Sequence, residues 1–116
     1  MRKIEQQMIN AISNNLNWKR DNTEVTYERG HVSKVYLHGN HIATVTDNDM
    51  TLYDGGWQSN TTKSRLNALL SKFGYTCGTQ GEYIFQKDWC WYLTAYNDET
   101  NKVETHEFTS GTTLRG

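Results

Sequence analysis

The sequence has no proline, two cysteines and a net charge of −1 over 116 residues. A chain without excess positive charge has no general attraction to nucleic acid, which argues against a non-specific coat protein. Cys77 and Cys90 form no paired motif, so we expect reduced thiols rather than a disulfide framework. No segment approaches the run of about 18 apolar residues that spans a membrane. The charged start MRKIEQQMIN also differs from a signal peptide, so we expect no membrane association.

Aromatic residues are plentiful, although only 35% of the chain is hydrophobic. Four tryptophans and seven tyrosines distinguish it from a disordered chain, which lacks such residues. Its length suits one domain. We therefore predict a single folded domain over residues 1–116.

Apolar spacing predicts a helix from Lys3 to Leu16, within an N-terminal segment at residues 1–17. The apolar positions recur at helical intervals: Ile4, Met8, Ile9, Ile12 and Leu16. Glu5 is expected on the outer side of this helix. An amphipathic helix usually packs on a sheet, which is the interpretation that we prefer to a partner-binding helix.

Residues 24–56 alternate between apolar and polar side chains, as antiparallel strands do. Gly39-Asn40 suits a tight two-residue hairpin, because both residue types tolerate positive φ. This segment is predicted to form a first β-meander that ends in a turn at Asp54-Gly55-Gly56.

Residues 61–74 are predicted to form a central helix, about Thr62 to Phe73. Asn60 or Thr61 is the expected N-cap, and Gly74 the expected stop. One apolar stripe faces the sheet: Leu66, Leu69, Leu70 and Phe73.

Residues 75–109 are predicted to form a second meander, followed by a frayed tail at residues 110–116. Within it, the run from Trp89 to Tyr96 is apolar on both faces, which is typical of a central strand covered on both sides. The sequence thus predicts an α+β fold, with an antiparallel meander sheet on which an N-terminal helix and a central helix pack.

The start of the central helix is the strongest candidate site. It lacks the glycines of a phosphate-binding loop, because Thr62 precedes Lys63 and Trp57 occupies the other glycine position. Cations are nevertheless misplaced near a helix start, whose dipole favours acids. A bound phosphate or carboxylate would reverse that cost, whereas the simpler alternative is that the cations only border the apolar stripe. The candidate binding residues here are Trp57, Thr61, Thr62, Lys63, Arg65 and Lys72.

His38 and His41 flank the Gly39-Asn40 turn and complete the candidate binding set. Two histidines do not make a zinc site, so we expect solvated turn side chains and no metal or other cofactor. Cys90 is expected to be buried and inert. Tyr83, Phe85, Trp89 and Trp91 suggest either core packing or a stacking platform for bases. No catalytic residue is assigned, and we expect no enzymatic activity.

Four stretches resemble a family of small bacteriophage proteins of unassigned function: LHGNHIA at residues 37–43, GGWQSNTTKSRLNALL at residues 55–70, KDWCWYL and EFTSG. That family shares a Leu-His-Gly-Asn-x-Ile-Ala hairpin and a Gly-Trp-x-Thr-x-Thr-Thr-Lys-x-Arg-Leu-Asn helix start, in which Ser59 here replaces a threonine. The resemblance covers roughly residues 31–111. It implies a phage origin and supplies no catalytic residues.

Two functions therefore stay open. In the first, the chain is a phage accessory factor in the host cytoplasm that binds a host or phage protein, as an inhibitor, an anti-defence factor or a host-takeover factor. In the second, it binds nucleic acid through the basic helix start and exposed aromatics. The sequence assigns no oligomeric state.

Overall fold

The computed structural model describes residues 1–74, 82–97 and 99–115 of the chain. It contains two helices and nine strands within that part. The order is α1 (Lys3–Ser13), β1 (Trp18–Arg20), β2 (Thr23–Glu28), β3 (Val32–Leu37), β4 (Asn40–Val45), β5 (Asp49–Leu52), α2 (Asn60–Phe73), β6 (Tyr83–Lys87), β7 (Cys90–Asn97), β8 (Lys102–Glu107) and β9 (Thr112–Arg115). The predicted α+β class with antiparallel sheets is confirmed.

The strands form two antiparallel sheets. The first has six strands in the order β1-β2-β3-β4-β5-β9, and the second has three in the order β6-β7-β8. Alternation along β3 places Ser33, Val35 and Leu37 in the interior. A register shift opposite Val35 and Tyr36 lets β4 bury two consecutive residues, Ile42 and Ala43.

Both helices pack on the buried side of the first sheet. The predicted stripe of α2 is confirmed, because Leu66, Leu69 and Leu70 are fully buried and Phe73 packs at the edge of the core. In α1 the buried apolar residues are Met8, Ile9, Ala11 and Ile12.

The end of α1 differs from the prediction. The helix ends at Ser13, with Asn14 as its C-cap and Asn15 in the left-handed conformation at φ 56°. Asparagine tolerates that conformation and can end a helix. Leu16 consequently lies outside the helix and is 54% exposed.

The second sheet is joined to α2 by the side chain of Asn67, which forms hydrogen bonds with the backbone of β6 as a neighbouring strand would. The amide of Asn67 accepts a hydrogen bond from the backbone N of Ile84 at 2.7 Å and donates one to its carbonyl at 2.9 Å. These two hydrogen bonds occupy the backbone N–H and C=O of Ile84 at the edge of β6. Gly74 lies at the same junction, where a Cβ would approach the carbonyl oxygen of Leu70 to 2.4 Å, so only glycine fits.

Two strands were not predicted. β1 is only three residues long and mostly polar, so its sequence shows no alternation. The tail was expected to fray, but β9 pairs with β5 and completes the first sheet. Leu114 of β9 packs against the core, which helps to hold this strand on the sheet.

β7 is central in the second sheet, as predicted, but it is not covered on both sides. Trp91 and Leu93 are buried, whereas Cys90 on the opposite face is exposed. The expectation of a buried Cys90 is therefore wrong, because its face of the sheet is open. Cys77 and the first part of the predicted second meander, residues 75–81, lie outside the described residues.

Candidate functional site

The loop before α2 is held in place by polar contacts at its two ends. Gly55 and Gly56 have φ values of 71° and 87°, which other residues rarely adopt. The carboxylate of Asp54 accepts a hydrogen bond from the backbone N of Gly56 at 2.8 Å. The backbone N of Asp54 donates to the hydroxyl of Ser110 at 3.1 Å. The predicted turn at residues 54–56 is confirmed, and it fixes where the following residues emerge.

Ser59 is the N-cap of α2. Its hydroxyl accepts a hydrogen bond from the backbone N of Thr62 at 3.1 Å and contacts the Thr62 hydroxyl at 2.9 Å. The prediction of Asn60 or Thr61 as the cap is wrong, because the helix already includes both residues. An N-cap serine usually accepts a hydrogen bond from the backbone N–H three residues later, as Ser59 does here.

Trp57 projects from this loop and is 77% exposed. It lines a recess of about 60 Å³ together with His38 of the β3–β4 turn, Asn40 at the start of β4, and Ser59 and Thr62 of the helix start. The two turn residues are His38 and Gly39, so the predicted turn at Gly39-Asn40 is wrong by one residue. His38 is exposed and lies in the turn at φ 51°. The structure thus brings Trp57 and His38 together, as expected. We call Trp57, His38, Asn40 and Ser59 the Trp57 patch.

The threonines and the first lysine of the helix contribute less surface. Thr62 is buried at 4% exposure, and Thr61 is half-buried. Lys63, in the first helical turn, is half-buried and is the cation of the candidate set that stays at this end of the helix.

Arg65 was expected on the same exposed patch, and this is wrong. Its guanidinium forms a buried ion pair with Glu5, with 2.8 Å between Nη1 and Oε2 and each side chain 4% exposed. Arg65 also donates to Thr23 at 3.0 Å and to Asn22 at 3.4 Å, and Ser64 donates to Glu5 at 2.6 Å. The expected outer position of Glu5 is wrong for the same reason. This pair joins α1 to α2.

Lys72 and His41 also lie apart from the patch. Lys72 is in the last turn of α2, about 14 Å along the axis from Lys63 at about 1.5 Å per residue. A cation there matches the helix dipole and needs no ligand. His41 is half-buried, with its ring 5.4 Å from that of Tyr36 and 4.7 Å from that of Tyr53. Its Nε2 lies 2.9 Å from both the Ala43 carbonyl and the Thr44 hydroxyl. It is not the solvated turn histidine that the sequence suggested.

The anion-binding interpretation loses support from this geometry. Ser59 satisfies one of the free amides of the helix start, and the carboxylate of Asp54 lines the same recess. A carboxylate beside the helix dipole supplies the negative charge that the first turn itself lacks. What remains is an exposed aromatic side chain among polar groups, a composition suited to macromolecular contact.

The second sheet presents another exposed tryptophan that the sequence did not identify. Trp91 is buried and packs edge-on against Phe108, with ring centroids 5.7 Å apart. Trp89 was predicted to begin the same strand but lies in the turn before β7, where it is 90% exposed. The signal was available, since Asp88-Trp89 is a two-residue spacer between alternating segments.

A larger recess of about 640 Å³ lies between the second sheet and β9. Its lining includes Leu93, Ala95 and Leu114 beside Glu104 and His106. None of the residues predicted from the sequence as a binding site lies in it. Within residues 1–74, 82–97 and 99–115, no three His, Cys, Asp or Glu side chains are grouped to hold a metal ion.

A family model described as "Kyanoviridae Gp96 protein" matches residues 1–115. The chain belongs to this family. The phage origin expected from the resemblance is therefore confirmed. No curated protein and no solved structure matches. Among the described residues of this family member, no helix is both long and apolar enough to cross a membrane.

Proposed function

We propose that this phage protein is an accessory factor that acts by binding a protein of the host or of the phage. Inhibition of a host component, including an anti-defence role, and host takeover are the activities that such binding would serve. The proposal places the protein in the host cytoplasm and assigns it no catalytic step.

The 77% exposure of Trp57 is the observation that carries this proposal. A large apolar side chain in water contributes little to folding, whereas buried tryptophans dominate the binding energy of many interfaces. The loop is anchored by Asp54 and Ser59 contacts, so Trp57 is presented from a fixed position rather than from a loose segment. A preorganised side chain loses less entropy on binding.

The charge distribution favours a protein over nucleic acid. Of the three cations in the candidate site, Arg65 is buried in an ion pair and Lys72 lies at the far end of α2. Lys63 alone does not form a phosphate-tracking surface, which requires several cations. The nucleic-acid alternative keeps one supporting observation, the exposure of aromatic side chains.

The test is affinity capture from host lysate with the tagged protein and with Trp57→Ala. We expect a protein that the wild type retains and the variant loses. With that protein purified, we expect Trp57→Ala to weaken binding by more than about 1 kcal/mol. The melting temperature should stay nearly unchanged, because surface substitutions usually change stability by less than about 0.5 kcal/mol.

Ser71→Ala is the control, because Ser71 is exposed on α2 but lies outside the Trp57 patch. If Trp57→Ala lowers the melting temperature strongly and leaves binding unchanged, Trp57 is a structural residue. The proposal would then lose its main support.

A further inference from the structure

The β6–β7 hairpin carries a tryptophan in a conformation that bulky side chains rarely adopt. Asp88 and Trp89 connect the paired residues Lys87 and Cys90, with φ values of 51° and 68°. A two-residue turn with both φ values positive strongly prefers glycine at its second position. Trp89 is also 90% exposed, so packing does not compensate for this conformation. Such strain in a native structure is a reason to look for a function.

Trp89 borders an open face of aromatic side chains. The register places Tyr83, Phe85 and Tyr92 on the face of the second sheet that also carries Cys90. The ring centroids of Tyr83 and Phe85 are 5.6 Å apart, as are those of Phe85 and Tyr92. Tyr83 is 45% exposed and Cys90 is exposed. We call Trp89, Tyr83, Phe85 and Tyr92 the hairpin surface.

This part of the chain is acidic. Residues 82–107 contain six acidic residues and two lysines, a net charge of −4, whereas the rest of the chain carries ten basic and seven acidic residues. Asp88 precedes Trp89 in the turn, Glu107 is paired opposite Tyr92 on the hairpin surface's own face, and both carboxylates are exposed. Lys87, which is paired opposite Cys90 on the same face, is exposed as well. Hydrogen bonds from Asn97, Thr100 and His106 hold the pKa of Glu104 below its usual value, but Glu104 is paired opposite Ala95 and so lies on the other face of the sheet.

We propose that the hairpin surface docks a protein whose contact surface is basic and contains an apolar pocket. Trp89 fills the pocket, the aromatic face covers its surroundings, and the carboxylates of Asp88 and Glu107 pair with the partner's cations. Complementary charge sets the orientation and speeds association. Nucleic acid is a poorer fit, because its phosphates would face a surrounding net negative charge. This surface is separate from the Trp57 patch and rests on different observations.

Three fluorescein-labelled synthetic peptides of equal length serve as probes: alternating Lys and Leu, alternating Glu and Leu, and alternating Lys and Ser. Anisotropy is measured while purified full-length protein is added. We expect the Lys-Leu peptide to bind at least tenfold more tightly than the other two, with binding that weakens as salt rises.

Trp89→Gly is the decisive variant. Glycine is the residue that the turn prefers, so the melting temperature should stay the same or rise, while affinity for the Lys-Leu peptide falls at least tenfold. Trp89→Asn, which also tolerates positive φ, should give the same loss. Trp57→Ala removes an exposed tryptophan elsewhere and should leave this affinity unchanged.

Equal affinity of Trp89→Gly and wild type for the Lys-Leu peptide would overturn the proposal. So would equal binding of the Glu-Leu peptide, which would remove the charge argument. Tighter binding of a labelled single-stranded oligonucleotide would assign the aromatic face to bases instead. Self-association of the wild type that Trp89→Gly abolishes, seen by sedimentation velocity, would identify a second copy as the occupant.

Discussion

At the scale of single residues, Arg65 shows that a local sequence pattern can suggest a ligand where the fold supplies an internal partner. A helix start that holds cations and no acid suggests a missing anion. The acid is Glu5, which lies 60 positions earlier in the chain and meets Arg65 only when α1 packs against α2. Local sequence rules contain no information about that contact. The cation that suggested a ligand has an internal partner.

The buried pair should be costly to break from one side. Arg65→Met leaves the Glu5 carboxylate buried without its cation, and we expect a loss of about 3–5 kcal/mol in the free energy of unfolding. The double variant Glu5→Leu/Arg65→Met removes both charges and should lose less. Urea denaturation followed by circular dichroism measures all three proteins. A single-variant loss below about 1 kcal/mol would show that the pair contributes little.

At the scale of elements, the start of α2 gives a test of which residue caps it. Ser59→Ala removes the acceptor for the Thr62 amide, and we expect a loss of about 1 kcal/mol, within about 0.5–2. Asn60→Ala is the control: Asn60 is exposed and already helical, so its replacement should change stability by less than about 0.5 kcal/mol. Thermal unfolding of both variants provides the comparison. A larger loss of stability for Asn60→Ala than for Ser59→Ala would show that Asn60 is the cap.

Elements with strong periodicity were predictable, and short or one-sided elements were not. The stripe Leu66, Leu69 and Leu70 indicates α2 because its spacing matches the helical period. β1 and β9 are three and four residues long, and each pairs with a single neighbouring strand. β7 looked covered on both faces because its outer side is aromatic. The sequence pattern of β7 does not distinguish an aromatic face that other elements cover from one that is exposed to solvent.

The candidate site shows the same limit. The exposure of Trp57 and its position beside the His38 turn follow from a glycine turn placed next to a hairpin, both of which the sequence indicates. The burial of Arg65 and the packing of the His41 ring against Tyr36 and Tyr53 depend on strand register and helix packing. Sequence alone fixes neither of these. Trp89 was missed because the predicted strand began at Trp89, whereas β7 begins at Cys90.

At the scale of the whole molecule, charge and exposed aromatics are unevenly distributed. The second sheet lies in an acidic part of the chain, and the rest of the chain has a small positive excess. Trp57 and Trp89 stand at separate places, the first before α2 and the second in the β6–β7 turn. A molecule with two exposed tryptophans and near-zero net charge is better suited to bind proteins than to follow a phosphate backbone.

The same distribution predicts the outcome of a nucleic-acid test. With labelled single- and double-stranded oligonucleotides, we expect no saturable change in fluorescence anisotropy at about 0.15 M salt, the physiological ionic strength. Any weak binding at low salt should fall steeply as salt rises, because it depends on released counterions. Lys63→Ala should not alter the result, since a single half-buried cation contributes few phosphate contacts. Tight binding at physiological salt that Lys63→Ala abolishes would instead establish the helix start as a nucleic-acid site, and the protein-binding proposal would have to be withdrawn.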